Sequence, residues 1–177
     1  MKKVYALILT GVMVVAMAIP AVAANSPEAT PVVKTESGID IISSAREVNT
    51  TVKDVTVNVP SEQLAKQVVS VTSTASVLKD LNVPADAKLV AAVDVSYNGE
   101  IPAGGVQIPF KVSNAKKGDM VYVLHRQPDA PYTWEVVGAG VLGDDLTVTG
   151  TFTGFSPVAF MVTSTVSTAK APLTGEF

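Results

Sequence analysis

Asp119-Met-Val-Tyr-Val-Leu-His125, Tyr132-Thr-Trp-Glu-Val-Val137, Leu146-Thr-Val-Thr149 with Thr151-Phe-Thr153, and Pro157-Val-Ala-Phe-Met-Val162 follow one another between Gly118 and Thr163. Gly, Pro, Asp or Asn separates each run from the next. Short runs of β-branched and aromatic residues between such breakers read as successive antiparallel strands. Met120, Tyr122 and Leu124 alternate with Val121, Val123 and His125, so both faces of the first run are largely apolar and it is expected inside a sheet.

Upstream, Lys88 to Tyr97 has strand character and leads into Asn98-Gly99, a turn pair because both residues tolerate positive φ. Val106 to Val112 is the next strand; Pro109 cannot donate to a ladder, which predicts an edge or a bulge there. In Val52 to Val59, Lys53, Val55, Val57 and Val59 share one side, the period of a half-buried strand. Ile39 to Ser43 is a further candidate strand. Only Ser61 to Asn82 carries a helical period, with Leu64, Val68, Val71, Ala75 and Leu78 on one stripe, Ser61 or Thr74 as caps and Pro84 as the stop. The β-branched run Val68 to Thr74 disfavours a continuous helix. Two short helical turns are expected, near Glu62 to Val68 and Ala75 to Leu81, packed over one end of the sheets. About seven or eight strands at this spacing predict a mainly β fold: an antiparallel, Ig-like β-sandwich with one or two short helices.

The termini read differently. Met1-Lys2-Lys3, an apolar run from Val4 to Ile19 and Ala21-Val-Ala23 have the layout of a secretory signal peptide over residues 1–23. The small-x-small site favours cleavage over a membrane anchor. Residues 24–38 lack any sustained period and predict a flexible spacer. Residues 39–165 then form the sandwich and 166–177 a tail.

The chain has 177 residues, 47% of them hydrophobic, enough for one domain with a real core. Its net charge is -3, and losing Lys2 and Lys3 would leave about -5. A weakly acidic chain without basic patches argues against nucleic acid as a partner. The absence of cysteine excludes disulfides, thiolate metal sites and cysteine nucleophiles.

His125 is the only histidine, so a multi-histidine metal site is excluded and a Ser-His-acid triad has one conceivable base. With no nucleophile elbow or glycine-flanked serine in the chain, a satisfied or exposed strand histidine is the better reading, and no catalytic residue is assigned. Asp144 with Asp145, or Asp94 with Glu135, are the candidate carboxylate pairs; Gly143-Asp144-Asp145 reads first as a turn, with calcium as the alternative. No cofactor or metal is expected. Tyr97, Tyr122, Tyr132 and Trp134 could stack on a sugar ring, although Trp134 is the first choice for the central core residue. The speculative binding set is therefore Tyr132, Trp134, Asp144 and Asp145, and any specific binding is expected at the loops Gln127 to Pro131 and Gly138 to Asp145.

Tyr132-Thr-Trp134-Glu-Val-Val137, Leu146-Thr-Val-Thr149 and Phe152-Thr-Gly-Phe155-Ser-Pro157-Val-Ala-Phe160 resemble the C-terminal β-modules of secreted and surface-layer-associated proteins of Gram-positive bacteria. The likeness spans about Lys88 to Val162 and implies an extracellular β-sandwich without catalytic machinery. Ala171-Pro172-Leu173-Thr174-Gly175-Glu176 resembles the sortase sorting signal, with Ala171 where that family has Leu. The resemblance implies cleavage between Thr174 and Gly175 by a sortase and linkage to the cell wall. In that family a hydrophobic span and a basic tail follow the motif, whereas this sequence ends at Phe177. The expected function is thus a secreted or cell-surface, non-catalytic protein with a structural, adhesive or interaction role, its partner an extracellular protein or glycan. The alternatives are a carbohydrate-binding module and an enzyme or inhibitor acting on extracellular polymers.

Overall fold

A computed structural model describes residues 31–129 and 133–164. The signal-like segment 1–23, Tyr132 and the sorting-signal-like residues 171–175 lie outside the described residues. Among the described residues there are eight strands: β1 (Val48–Asn49), β2 (Val55–Asn58), β3 (Lys88–Tyr97), β4 (Val106–Val112), β5 (Met120–Arg126), β6 (Trp134–Val141), β7 (Thr147–Phe152) and β8 (Pro157–Thr163). They form two antiparallel sheets, β1-β4-β7 and β2-β3-β8-β5-β6. The fold is mainly β, an antiparallel sandwich with a few short helices, as the strand spacing predicts.

Between the sheets lie Val93, Val121, Val123, Val158 and Phe160 from the larger sheet and Ile108, Phe110, Val112, Val148 and Phe152 from the smaller. Phe110 meets Phe152 and Phe160 edge to face, with ring centroids 5.8 and 5.3 Å apart. Each such fully buried side chain contributes about 1.5–3 kcal/mol of burial free energy. The central core aromatics are these phenylalanines. Trp134, expected at the centre, opens edge strand β6 and is only partly buried.

The larger sheet also buries its other face. Leu89, Ala92, Leu124, Ala159 and Met161 pack beneath Ile41 and Ile42 of α1 (Ile41–Ser44), Ala65 and Val68 of α2 (Glu62–Thr72) and Leu78 of α3 (Ala75–Asp80). The helices therefore cover a sheet face instead of one end. A bulge between Leu89 and Ala91 shifts the register, turning Val90 and Ala91 toward the sandwich interior while Leu89 and Ala92 meet the helices.

Ser61 caps α2 by accepting from the Leu64 N–H at 3.3 Å. Contrary to the two-turn expectation, α2 runs through Val68 to Thr72. Burial of Ala65, Val68 and Thr72 against the sheet outweighs the weak helix propensity of the β-branched residues, and the Thr72 hydroxyl donates back to the Val68 carbonyl at 2.8 Å. The expected strand Ile39 to Ser43 is helical from Ile41 onward instead. Asp40 caps α1 from the Ile42 N–H at 3.2 Å and accepts from the Ser43 hydroxyl at 2.5 Å; Ser43 and these backbone donors hold its carboxyl below the usual range. From the segment read as a spacer, Val33 is buried and its carbonyl accepts from the Ile41 N–H at 2.8 Å.

Pro109 lies in the middle strand of the smaller sheet, yet β1 pairs only with Lys111 and Val112. At Pro109 that flank of β4 carries no ladder, and the Thr50 hydroxyl donates to its carbonyl at 2.7 Å. The strand is thus neither an edge strand nor bulged at Pro109; the proline is accommodated because β1 is too short to reach it.

The sheets approach closely where β6 passes β7. A Cβ built on Gly138 would stand 2.1 Å from the Thr149 carbonyl oxygen, whereas one on neighbouring Gly140 meets nothing within 4 Å. Gly138→Ala is expected to cost about 1–3 kcal/mol through overpacking. Gly140→Ala, the control, should stay within about 0.5 kcal/mol. Urea midpoints of the two variants check this.

Candidate functional site

The β5-β6 hairpin brings together most of the residues with chemical potential. Its register sets Arg126 opposite Trp134, His125 opposite Glu135 and Leu124 opposite Val136, then slips by one residue at Val137 so that Val123 meets Gly138 and Tyr122 meets Ala139. Alternation of side chains across a strand divides these residues between two faces.

On the inward face His125 is 1% exposed. Its Nδ1 lies 3.0 Å from Glu135 Oε1 and its Nε2 lies 3.3 Å from Ser156 Oγ. Its ring and that of Phe152 stand edge to face, with centroids 5.5 Å apart. The order acid, imidazole, hydroxyl is that of a serine hydrolase triad, but the protons are disposed differently. Ser156 is buried, and its hydroxyl donates to the Arg126 carbonyl in a short hydrogen bond. A triad needs that single hydroxyl proton directed at the imidazole. The arrangement ties β5, β6 and the start of β8 together through one polar cluster. Glu135 and Ser156 escape sequence reasoning as partners of His125. The Glu135 contact follows from hairpin register, while Ser156 approaches from a loop 31 residues away.

On the outward face Arg126 Nη1 donates to Gln67 Oε1 of α2 at 3.0 Å. Burial raises the Asp94 carboxyl above its usual range, and the positive charge of Arg126 partly offsets this. Asp94 faces outward and Glu135 inward, in adjacent rows of one sheet, so they do not form a carboxylate pair.

The aromatic set is dispersed. Tyr97 packs on Phe155 at 5.3 Å, on the sandwich side. Tyr122 and Trp134 share the outward face of the hairpin, both half-buried against the helical layer. Beside them on β6 lie Val136 at 37% exposure, Ala139, and Val141 at 61%. This outward row of β6 is wholly apolar.

Asp144 and Asp145 form an exposed turn. Asp144 Oδ1 pairs with Lys117 Nζ at 2.7 Å, and Asp145 Oδ1 accepts from the Thr147 N–H at 3.3 Å. Among the described residues no group of three or more His, Asp or Glu is placed to hold a metal ion. Elsewhere, Val69, Thr72, Leu78, Asp86, Ala87 and Leu89 line part of an open cavity of about 340 Å³ on the helical side.

Comparison with family models, with curated proteins and with solved structures finds no match for this chain.

Two outcomes test the hairpin's electrostatics. Ser156→Ala removes the hydroxyl shared by His125 and the Arg126 carbonyl and is expected to cost about 1–3 kcal/mol in chemical denaturation. Asp94 binds its proton more tightly in the folded chain than at the ordinary value of 3.8, so its contribution to stability falls as pH rises through the window above that value. Asp94→Asn should remove this decline, and its stability relative to the parent should improve from pH 4 upward in urea titrations.

Proposed function

We propose that this chain is an exported, non-catalytic β-sandwich protein that acts as an interaction or adhesive module through the outward face of its β5-β6 hairpin. The observation that carries the reading is the β6 row Trp134, Val136, Ala139 and Val141, apolar throughout, of which Val136, Ala139 and Val141 lie exposed beyond the helical cover. Edge strands of soluble proteins ordinarily carry charge, proline or a covering element, and contiguous exposed apolar surface marks contact with a partner. Export is supported by the signal-like residues 1–23. The non-catalytic part is supported by the Ser156 hydroxyl being committed to a backbone carbonyl.

A carbohydrate-binding reading draws on the same face, because Tyr122 and Trp134 both lie there. It is favoured if soluble oligosaccharide competes for binding and Trp134→Ala alone abolishes it.

The chain recovered outside the expressing cell should have the mass of a polypeptide beginning at Ala24. Val136→Ser with Val141→Ser should leave the urea midpoint within about 0.5 kcal/mol of the parent, as expected for surface positions. The same variant should reduce cosedimentation with cell envelopes of the source organism by about tenfold, a loss of about 1.4 kcal/mol. Unchanged cosedimentation would refute the hairpin as the contact surface.

A further inference from the structure

The sheet edges of this fold are not equivalent. β1 has two residues and β2 four, the latter opening on Asp54 at φ 64°, so neither offers a long ladder. β7 turns the polar side chains of Thr147, Thr149 and Thr151 outward. β6 has eight residues, and among the described residues no strand pairs with its outer edge. Its one charged side chain, Glu135, points inward to His125.

The face pattern of β6 is also symmetric about its midpoint. Two copies of an antiparallel edge related by a twofold axis through the sheet place opposed side chains on the same face. In a regular strand residues 134 and 141 point to opposite faces, and a full-length register pairing them would fail. The bulge at Val137 removes that conflict. Trp134, Val136, Ala139 and Val141 all face outward, while Glu135, Val137, Gly138 and Gly140 face inward. Pairing Trp134 with Val141 and Val136 with Ala139 therefore matches every face, and sets Glu135 against Gly140 so that no like charges meet.

We propose, building on the hairpin as an interaction surface, that its partner is a second copy of this chain: β6 pairs antiparallel with β6 of that copy in this register. The two larger sheets then run on as one, and the outward apolar rows lie side by side across the junction. Self-pairing follows from the symmetry of the face pattern and from the charge-free middle of the strand.

The chain has no cysteine, so introduced thiols report the register without background. Directly opposed residues have Cα atoms about 4.5–5.5 Å apart, within the roughly 4.4–6.8 Å that a disulfide spans. Residues three apart along a strand are separated by about 10 Å and fall outside it. The full chain carrying Val136→Cys with Ala139→Cys should form a covalent dimer under mild oxidation, at least about tenfold more than Val136→Cys or Ala139→Cys alone. Wild-type chain should sediment as a dimer at about 100 µM. Equal cross-linking by the single variants would overturn the register. A monomeric wild type, or no cross-linking of a double variant whose circular dichroism matches the parent, would overturn the pairing. A monomer that still binds envelopes through Val136 and Val141 would sink the self-pairing alone. A cross-linked dimer whose envelope binding ignores those residues would sink the interaction reading alone.

Discussion

From Pro157 to Val162 strand β8 is buried at every position, between β3 and β5, with Val158, Phe160 and Val162 on one face and Ala159 and Met161 on the other. A strand apolar on both faces can be stable only if its sheet is covered twice, since leaving either face wet forfeits about 25 cal/mol for each Å² of apolar surface. The smaller sheet supplies one cover through Ile108, Phe110 and Phe152, and the helices supply the other through Ile41, Ala65, Val68 and Leu78. With no cysteine in the chain, both covers are held by packing and hydrogen bonds. The capping of α1 by Asp40 and of α2 by Ser61 thus serves the sheet, because each cap fixes where an apolar helix stripe begins.

The two covers end in different places. The smaller sheet reaches β6, where Gly138 lets the Thr149 carbonyl approach. The helical layer contacts Leu124, Tyr122 and Trp134 but leaves Val136, Ala139 and Val141 exposed. This mismatch creates the apolar row on the hairpin. The inward row of β6 holds one polar side chain, and it is used: Glu135 engages His125, and His125 engages Ser156. The one carboxylate of β6 joins strands instead of charging the edge.

Much of this was legible in local pattern. Runs of β-branched and aromatic residues between turn signals mark β3 to β8, and the apolar faces of Asp119 to His125 imply the interior strand that is found. However, β6 continues through Gly138 to Val141, a stretch expected as loop. Val55 to Asn58 also emerged inside the longer run from Val52 to Val59. Where β-branched composition failed, a cap or a tertiary contact outweighed it. Ile41 and Ile42 favour a strand by side-chain shape, but one carboxylate at Asp40 commits them to a helix, and both become core. Val68 to Thr72 favour a strand as well, but the turn they occupy lies against the sheet. Trp134, an aromatic among β-branched strand residues, fits a core position by local pattern, yet its place in the strand order puts it at an edge, and strand order is not encoded in any short window. The contacts of His125 needed two facts of this kind, the hairpin register for Glu135 and the loop path for Ser156.

The bulge at Val137 links these observations. It turns Val137 toward the sandwich core while Val136 and Ala139, on either side of the bulged pair, stay outward. Without it, residues beyond the bulge would exchange faces: Ala139 and Val141 would turn into the sandwich and Gly138 and Gly140 toward solvent. The close passage of β7 depends on Gly138 facing inward, and the apolar outer row depends on Val141 facing outward. The bulged backbone therefore sets both the tightest contact between the sheets and the surface that β6 presents, so core packing and edge chemistry cannot vary independently at this strand.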